Sequence, residues 1–164
     1  MWLAILFIII GVASRLIPHL PNFAPLAAIA LFSGVYLKQK NAWLIPLGAF
    51  LISDLIIGLH LTIPFTWGSI LLIYFLGKQL KKRKTVLNTI SFTLASSFLF
   101  FLVTNFGVWL IGWYPRNLAG LVNCYISAIP FFRTSLISNF AYVVVFFGAY
   151  EYFTREAKLA RKAA

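Results

Sequence analysis

Arg15-Leu16-Ile17-Pro18-His19-Leu20-Pro21-Asn22-Phe23-Ala24-Pro25 sets a cation, an imidazole, an amide and three prolines between two apolar runs. Proline fixes φ and pushes the residue before it out of the helical region, so three of them within eight positions forbid a continuous helix and stiffen the turn. The runs on either side are therefore read as two helices, and Arg15, His19 and Asn22 are held in a restricted set of directions between them. The stretch predicts a shaped cap closing one end of a membrane-embedded pocket. An ordinary rigid turn at a bilayer surface fits the same residues.

Outward from this cap the chain is apolar. Of its 164 residues 62% are hydrophobic and only 10% charged, with a mean hydropathy of +0.92, against roughly 45–50% apolar residues in a soluble domain. Burial on folding covers well under the whole surface at this size, so much of the exterior is expected to meet lipid. The expected fold class is an all-α integral membrane protein. A net charge of +11 would raise nucleic acid as a partner in a soluble chain, but the basic residues lie in short tracts between apolar runs, where they report topology. Cys124, the single cysteine, allows neither an intrachain disulfide nor a Cys-rich metal framework. The first apolar run lacks the basic n-region and the A-x-A site of a signal peptide and is kept as a helix.

The periodicity and breakers predict six transmembrane helices over about 2–17, 25–37, 43–60, 63–77, 85–113 and 131–153, with 114–130 as a surface or re-entrant segment, all in a single domain of residues 1–164. The basic tract Lys78 to Lys84 is expected between the fourth and fifth helices. Threading six crossings alternately puts 11 of the 14 basic residues on one side and leaves Arg15, Arg116 and Arg133 on the other. The positive-inside rule then predicts an inner-membrane protein with both termini in the cytoplasm.

With that topology the polar residues gather in the outer half. Asp54, the acidic residue set deepest within a predicted span, lies roughly 9 Å below the outer end of the third helix at His60. A carboxylate in hydrocarbon must be paired or protonated. Two readings stay open: a ligand contact or proton site, or a structural ion pair with Arg15 or Arg133. Asn105 and Trp109 are four apart and share a helix face that Phe101 and Ser97 continue inward, a stripe suited to a planar ligand. Ser97 and Thr104 are read as interhelical glue. The expected binding residues are Arg15, His19, Asn22, Asp54, Asn105, Trp109, Arg116 and Arg133.

Other combinations carry less. The spacing of His60 and Ser69 gives no nucleophile–base pair. Asp54 and His60, six apart, are expected on different helix faces, and no metal-ligand spacing occurs. Cys124 reads as a small buried hydrophobe, and Glu151 with Arg155 as an i, i+4 surface pair. No catalytic residue, metal or cofactor is expected.

Arg15-Leu-Ile-Pro-His19-x-Pro-Asn22-Phe23, Ala27-Ala-Ile-Ala-Leu-Phe-x-Gly34, Ser53-Asp54 with Gly58, Thr104-Asn-Phe-Gly-Val-Trp109, Tyr114-Pro115, Gly120-Leu121, Cys124-Tyr125 and Ile129-Pro-Phe-Phe132 together resemble an uncharacterised family of small six-helix bacterial membrane proteins. Transport is the role assumed for that family. Where its pattern has Gly-Asp after the Pro-Phe-Phe element, this chain has Ser138-Asn139, without the carboxylate. The six short helices and outer pocket are also similar, more remotely, to the S component of energy-coupling-factor (ECF) vitamin transporters. The Ala-x-x-x-Ala docking surface of S components is missing from the first helix here, and Ala24 and Ala28 show that spacing at the start of the second.

These resemblances imply a membrane-embedded substrate-binding subunit of a small-molecule uptake transporter, with a vitamin-like or other micronutrient ligand. Its implied partners are the lipid bilayer and the ECF transmembrane and ATPase subunits. Two alternatives stand beside it: a self-sufficient proton-coupled carrier using Asp54, and a non-transporting membrane assembly protein that docks a partner through Lys81 to Lys84.

Overall fold

The computed structural model describes residues 2–18 and 20–163. Among the described residues are six helices and no strand: α1 (Trp2–Leu16), α2 (Leu26–Tyr36), α3 (Leu44–Ile57), α4 (Ile63–Lys82), α5 (Val86–Leu110) and α6 (Leu118–Ala163). Two, α5 and α6, are long and apolar enough to cross a membrane, while α1, α2 and α3 are shorter apolar helices.

The bundle is built around α2. Its sequence offers no polar face, and a helix apolar all round belongs inside; from Leu26 to Val35 only Ala27 is not buried. It packs most extensively on α4 and also meets α6, α3, α5 and α1. Gly34 and Gly77 explain the closeness of the α2–α4 pair. A Cβ on Gly34 would collide with the Tyr74 carbonyl oxygen and stand 2.9 Å from the Gly77 Cα; a Cβ on Gly77 would collide with the Leu31 carbonyl oxygen. The two backbones touch directly, which glycine alone permits. Ala28 is fully buried in this packing, so the Ala24/Ala28 spacing does not form an exposed docking stripe.

The cap between α1 and α2 is tied down. Asn22 takes the left-handed conformation, φ 62°, which asparagine tolerates better than most residues, and the Phe23 amide donates to the Leu20 carbonyl at 2.9 Å. The Ser138 hydroxyl on α6 donates to the Ala24 carbonyl at 3.2 Å, and the Phe23 and Tyr142 ring centres are 5.9 Å apart. Across α5 and α6, the Asn139 amide donates to the Ser97 hydroxyl at 2.9 Å and to the Thr93 carbonyl at 3.2 Å. Ser97 is thus interhelical glue, whereas the Thr104 hydroxyl bonds back to the Phe100 carbonyl of its own helix.

Several boundaries differ from expectation. The segment expected to stand apart over 114–130 is, from Leu118 onward, the opening of α6, which runs through Pro130 without a break. Proline removes one i→i−4 bond, but the Asn117 side chain caps the start by accepting from the Gly120 amide at 2.8 Å. The adjoining Ala128 is buried in the bundle. Lys78, Lys81 and Lys82 are the last turns of α4, not a linker; they are good helix formers and complement the carbonyl end of the helix dipole. Helix α3 stops at Ile57, three residues before His60, because Gly58 turns the chain at φ 119°. Glu151, expected to pair with Arg155, meets Lys84 at 2.6 Å, with the Tyr36 hydroxyl donating to the same carboxylate.

Candidate functional site

Arg15 ends α1 just before the prolines break it, so its side chain leaves the helix toward α3. There its Nη1 lies 2.5 Å from Asp54 Oδ1 and donates to Ser53 Oγ at 2.7 Å, and its guanidinium lies 4.5 Å from the centre of the Phe50 ring. Asp54 is fully buried, while the Arg15 side chain keeps 17% exposure. The second carboxylate oxygen, Oδ2, accepts from Trp67 Nε1 of α4 at 2.8 Å. The buried carboxylate is thus held by an ion pair at Oδ1 and a hydrogen bond at Oδ2, as burial of a charge requires. The open choice between Arg15 and Arg133 resolves to Arg15.

A third group approaches the carboxylate. His60 Nε2 stands 3.8 Å from Asp54 Oδ1, and its Nδ1 is 2.7 Å from Thr62 Oγ1. The expectation that Asp54 and His60 lie on different faces is corrected here: it assumed a helix through His60, and the turn at Gly58 folds the histidine back.

Beside this node opens a cavity of about 450 Å³ to which all six helices contribute. That volume lies within the ~300–1,000 Å³ range of small-molecule sites. Its walls are aromatic, with Phe50, Phe100, Phe101, Phe131 and Phe132, and Arg15, Asn22, Thr66, Thr104, Asn105 and Ser135 supply its polar groups. The lining includes the C-terminal parts of α1 and α5 and the N-terminal parts of α2 and α4. The cavity is therefore at the end of the bundle opposite the lysines of α4 and Lys84.

The sequence-predicted residues divide. Arg15, Asn22 and Asn105 line the cavity together, and Asp54 holds Arg15 from behind. Trp109 turns away, its Nε1 donating to the Pro115 carbonyl at 3.0 Å. Arg116 and Arg133 are exposed and do not line the cavity. His19 lies outside the described residues. Cys124 is buried and free, with Sγ 3.4 Å from the Asn105 carbonyl.

The family model described as a family of unknown function, DUF6580, matches residues 1–161. The chain belongs to DUF6580. No curated protein and no solved structure matches this DUF6580 chain.

Spacing alone marked Phe101 on the Asn105 face but neither Trp67 and His60 nor the other phenylalanine walls of the DUF6580 site. Trp67 lies 13 residues from Asp54 across a helix junction, and phenylalanines are too common in an apolar chain to stand out. One signal was available for His60. Gly58, directly after the apolar run Leu55-Ile56-Ile57, is the residue type that ends a helix and returns the chain.

Proposed function

We propose that this protein is a multi-pass inner-membrane protein, with both termini cytoplasmic, that binds a small molecule in the Arg15 cavity as the substrate-binding subunit of an uptake system. The observation that carries the reading is the cavity itself, an aromatic chamber of about 450 Å³ with one guanidinium pre-positioned on a buried carboxylate. The membrane assignment is supported by the outward faces of α5 and α6. Only 17% of the most apolar stretch of each is buried, and Phe98, Leu102, Ile137 and Val144 point outward. Separation of the cavity from the lysine-rich end supports the orientation.

The walls favour a planar, largely apolar ligand with a few acceptor groups, one of them for Arg15. Because Asp54 already balances Arg15 and no second arginine lines the chamber among the described residues, a multiply anionic ligand is a poor match. Coupling to an ECF-type module belongs to the same proposal and needs a docking face other than the buried Ala28.

Native mass spectrometry of the protein gently extracted from its host tests the proposal. The expected result is a small-molecule adduct on the wild type that disappears when Ala128→Trp fills the chamber, with or without co-isolated ATPase and membrane subunits. A wild-type chain carrying lipid alone would overturn it.

A second reading, a proton-coupled carrier, is favoured by one observation: the half-exposed His60 stands 3.8 Å from the Asp54 carboxylate, a route from solvent to a buried acid. Uptake by liposomes holding this chain alone, driven by a pH gradient and lost in Asp54→Asn, would decide for that reading.

A further inference from the structure

At the end of the bundle away from the cavity, two openings run into each other. One is a groove of about 570 Å³ between α1 and α6, walled by Leu3, Leu6, Ile10, Val145, Phe146 and Phe153. Phe7 and Phe146, their rings 5.0 Å apart, join the two helices at its edge. The other is a cleft of about 870 Å³ around Tyr36, Lys84, Tyr150, Arg155 and Lys158. Tyr150, Thr154 and Lys158 line both.

The groove is apolar along its length and ends on a cation, and the cleft is basic. Its one carboxylate, Glu151, is taken by Lys84 at 2.6 Å and by the Tyr36 hydroxyl. Arg155 and Lys158 make no ion pair among the described residues. Arg155 and Lys158 are thus charges available to a partner, set at the mouth of an apolar slot. The slot descends from Lys158 and Leu3 to Val145 and Ile10, about 20 Å along α6 at ~1.5 Å per residue. Trp2, largely exposed beside Leu3, is the kind of residue that settles at headgroup level.

We infer that this double opening binds an anionic phospholipid of the surrounding bilayer, one acyl chain in the α1–α6 groove and the phosphate headgroup at Arg155 and Lys158. The inference rests on the membrane reading proposed above. Charge selects the headgroup and the apolar slot selects a lipid over free phosphate, since phosphate alone would leave the groove unfilled.

The test uses the full-length protein in a neutral detergent, followed by native mass spectrometry and thermal unfolding. Phosphatidylglycerol, phosphatidylcholine with the same acyl chains, and inorganic phosphate are each added. Phosphatidylglycerol is expected to bind on the order of 10-fold tighter than phosphatidylcholine and to raise the unfolding temperature, with phosphate doing neither. The pair Arg155→Glu and Lys158→Glu, both exposed and therefore benign for folding, should erase that preference. Ala149→Phe, which fills the groove, should weaken both lipids. Equal binding of the two lipids, a preference unmoved by charge reversal, or stabilisation by phosphate equal to that by phosphatidylglycerol would each overturn the site. Carbonate extraction of host membranes reads the membrane assignment separately: a chain that resists extraction yet shows no headgroup preference loses the lipid site alone.

Discussion

Asp54 holds three elements together through its two oxygens, Arg15 of α1 on one and Trp67 of α4 on the other. Removing one partner from such a node should cost far more than removing both. Asp54→Ala leaves the guanidinium without its counter-charge and the indole N–H without its acceptor, and is expected to destabilise by about 3 kcal/mol, the lower end for a broken buried pair because Arg15 keeps its bond to Ser53 and some contact with the cavity. The double variant Arg15→Leu with Asp54→Leu should recover most of that loss, since apolar replacement of a buried pair is often near neutral. It should nonetheless lose the cavity adduct. Thermal unfolding in detergent beside native mass spectrometry separates these outcomes, and a double variant that keeps its adduct would leave the pair a purely structural role. At this scale the sequence marked Asp54, Arg15, Asn22 and Asn105 because polar groups in apolar runs are conspicuous. It could not choose Arg15 over Arg133, because distance along the chain does not order distances between helices.

Among the elements, the α2–α4 contact is the least forgiving. Gly77→Leu would drive a side chain into the Leu31 carbonyl, where backbone and not a flexible side chain must give way. The expected penalty is at the upper end of overpacking, about 3 kcal/mol or more, read as a lowered unfolding temperature. Gly68→Ala on the same helix, with no atom within 4 Å of the added methyl, should be neutral or slightly stabilising because alanine is the better helix former. The first five helices were legible from apolar runs and proline breaks, to within a few residues at most ends. The start of the sixth was not. Pro130 and the polar residues after Tyr114 read as a break, but proline forfeits only one helical bond, and flanking side chains packed on α5 hold the helix through it.

Over the whole molecule, the separation of charge was legible before any fold, since it needs only the order of apolar runs and lysines. On the membrane reading it yields a labelling prediction. In a background with Cys124→Ala, Lys81→Cys should react with a membrane-impermeant maleimide in inside-out vesicles and not in intact cells, and Arg116→Cys should show the reverse. Matching reactivity at both positions would overturn the orientation. The shortness of α2 carries a further consequence. The cavity reaches the first turn of this helix, at Leu26 and Ala27, and the basic cleft begins at Tyr36. Between Ala27 and Tyr36 lie the eight residues Ala28 to Val35, nine helical steps or about 14 Å where a bilayer core would be ~30 Å. If water enters both openings, the membrane voltage falls across that thin septum, so the field there is roughly doubled. A 100 mV potential, about 2.3 kcal/mol per unit charge, would be concentrated on the few residues where α2 rests against α4, making the Gly34–Gly77 crossing the electrical as well as the mechanical waist of the protein.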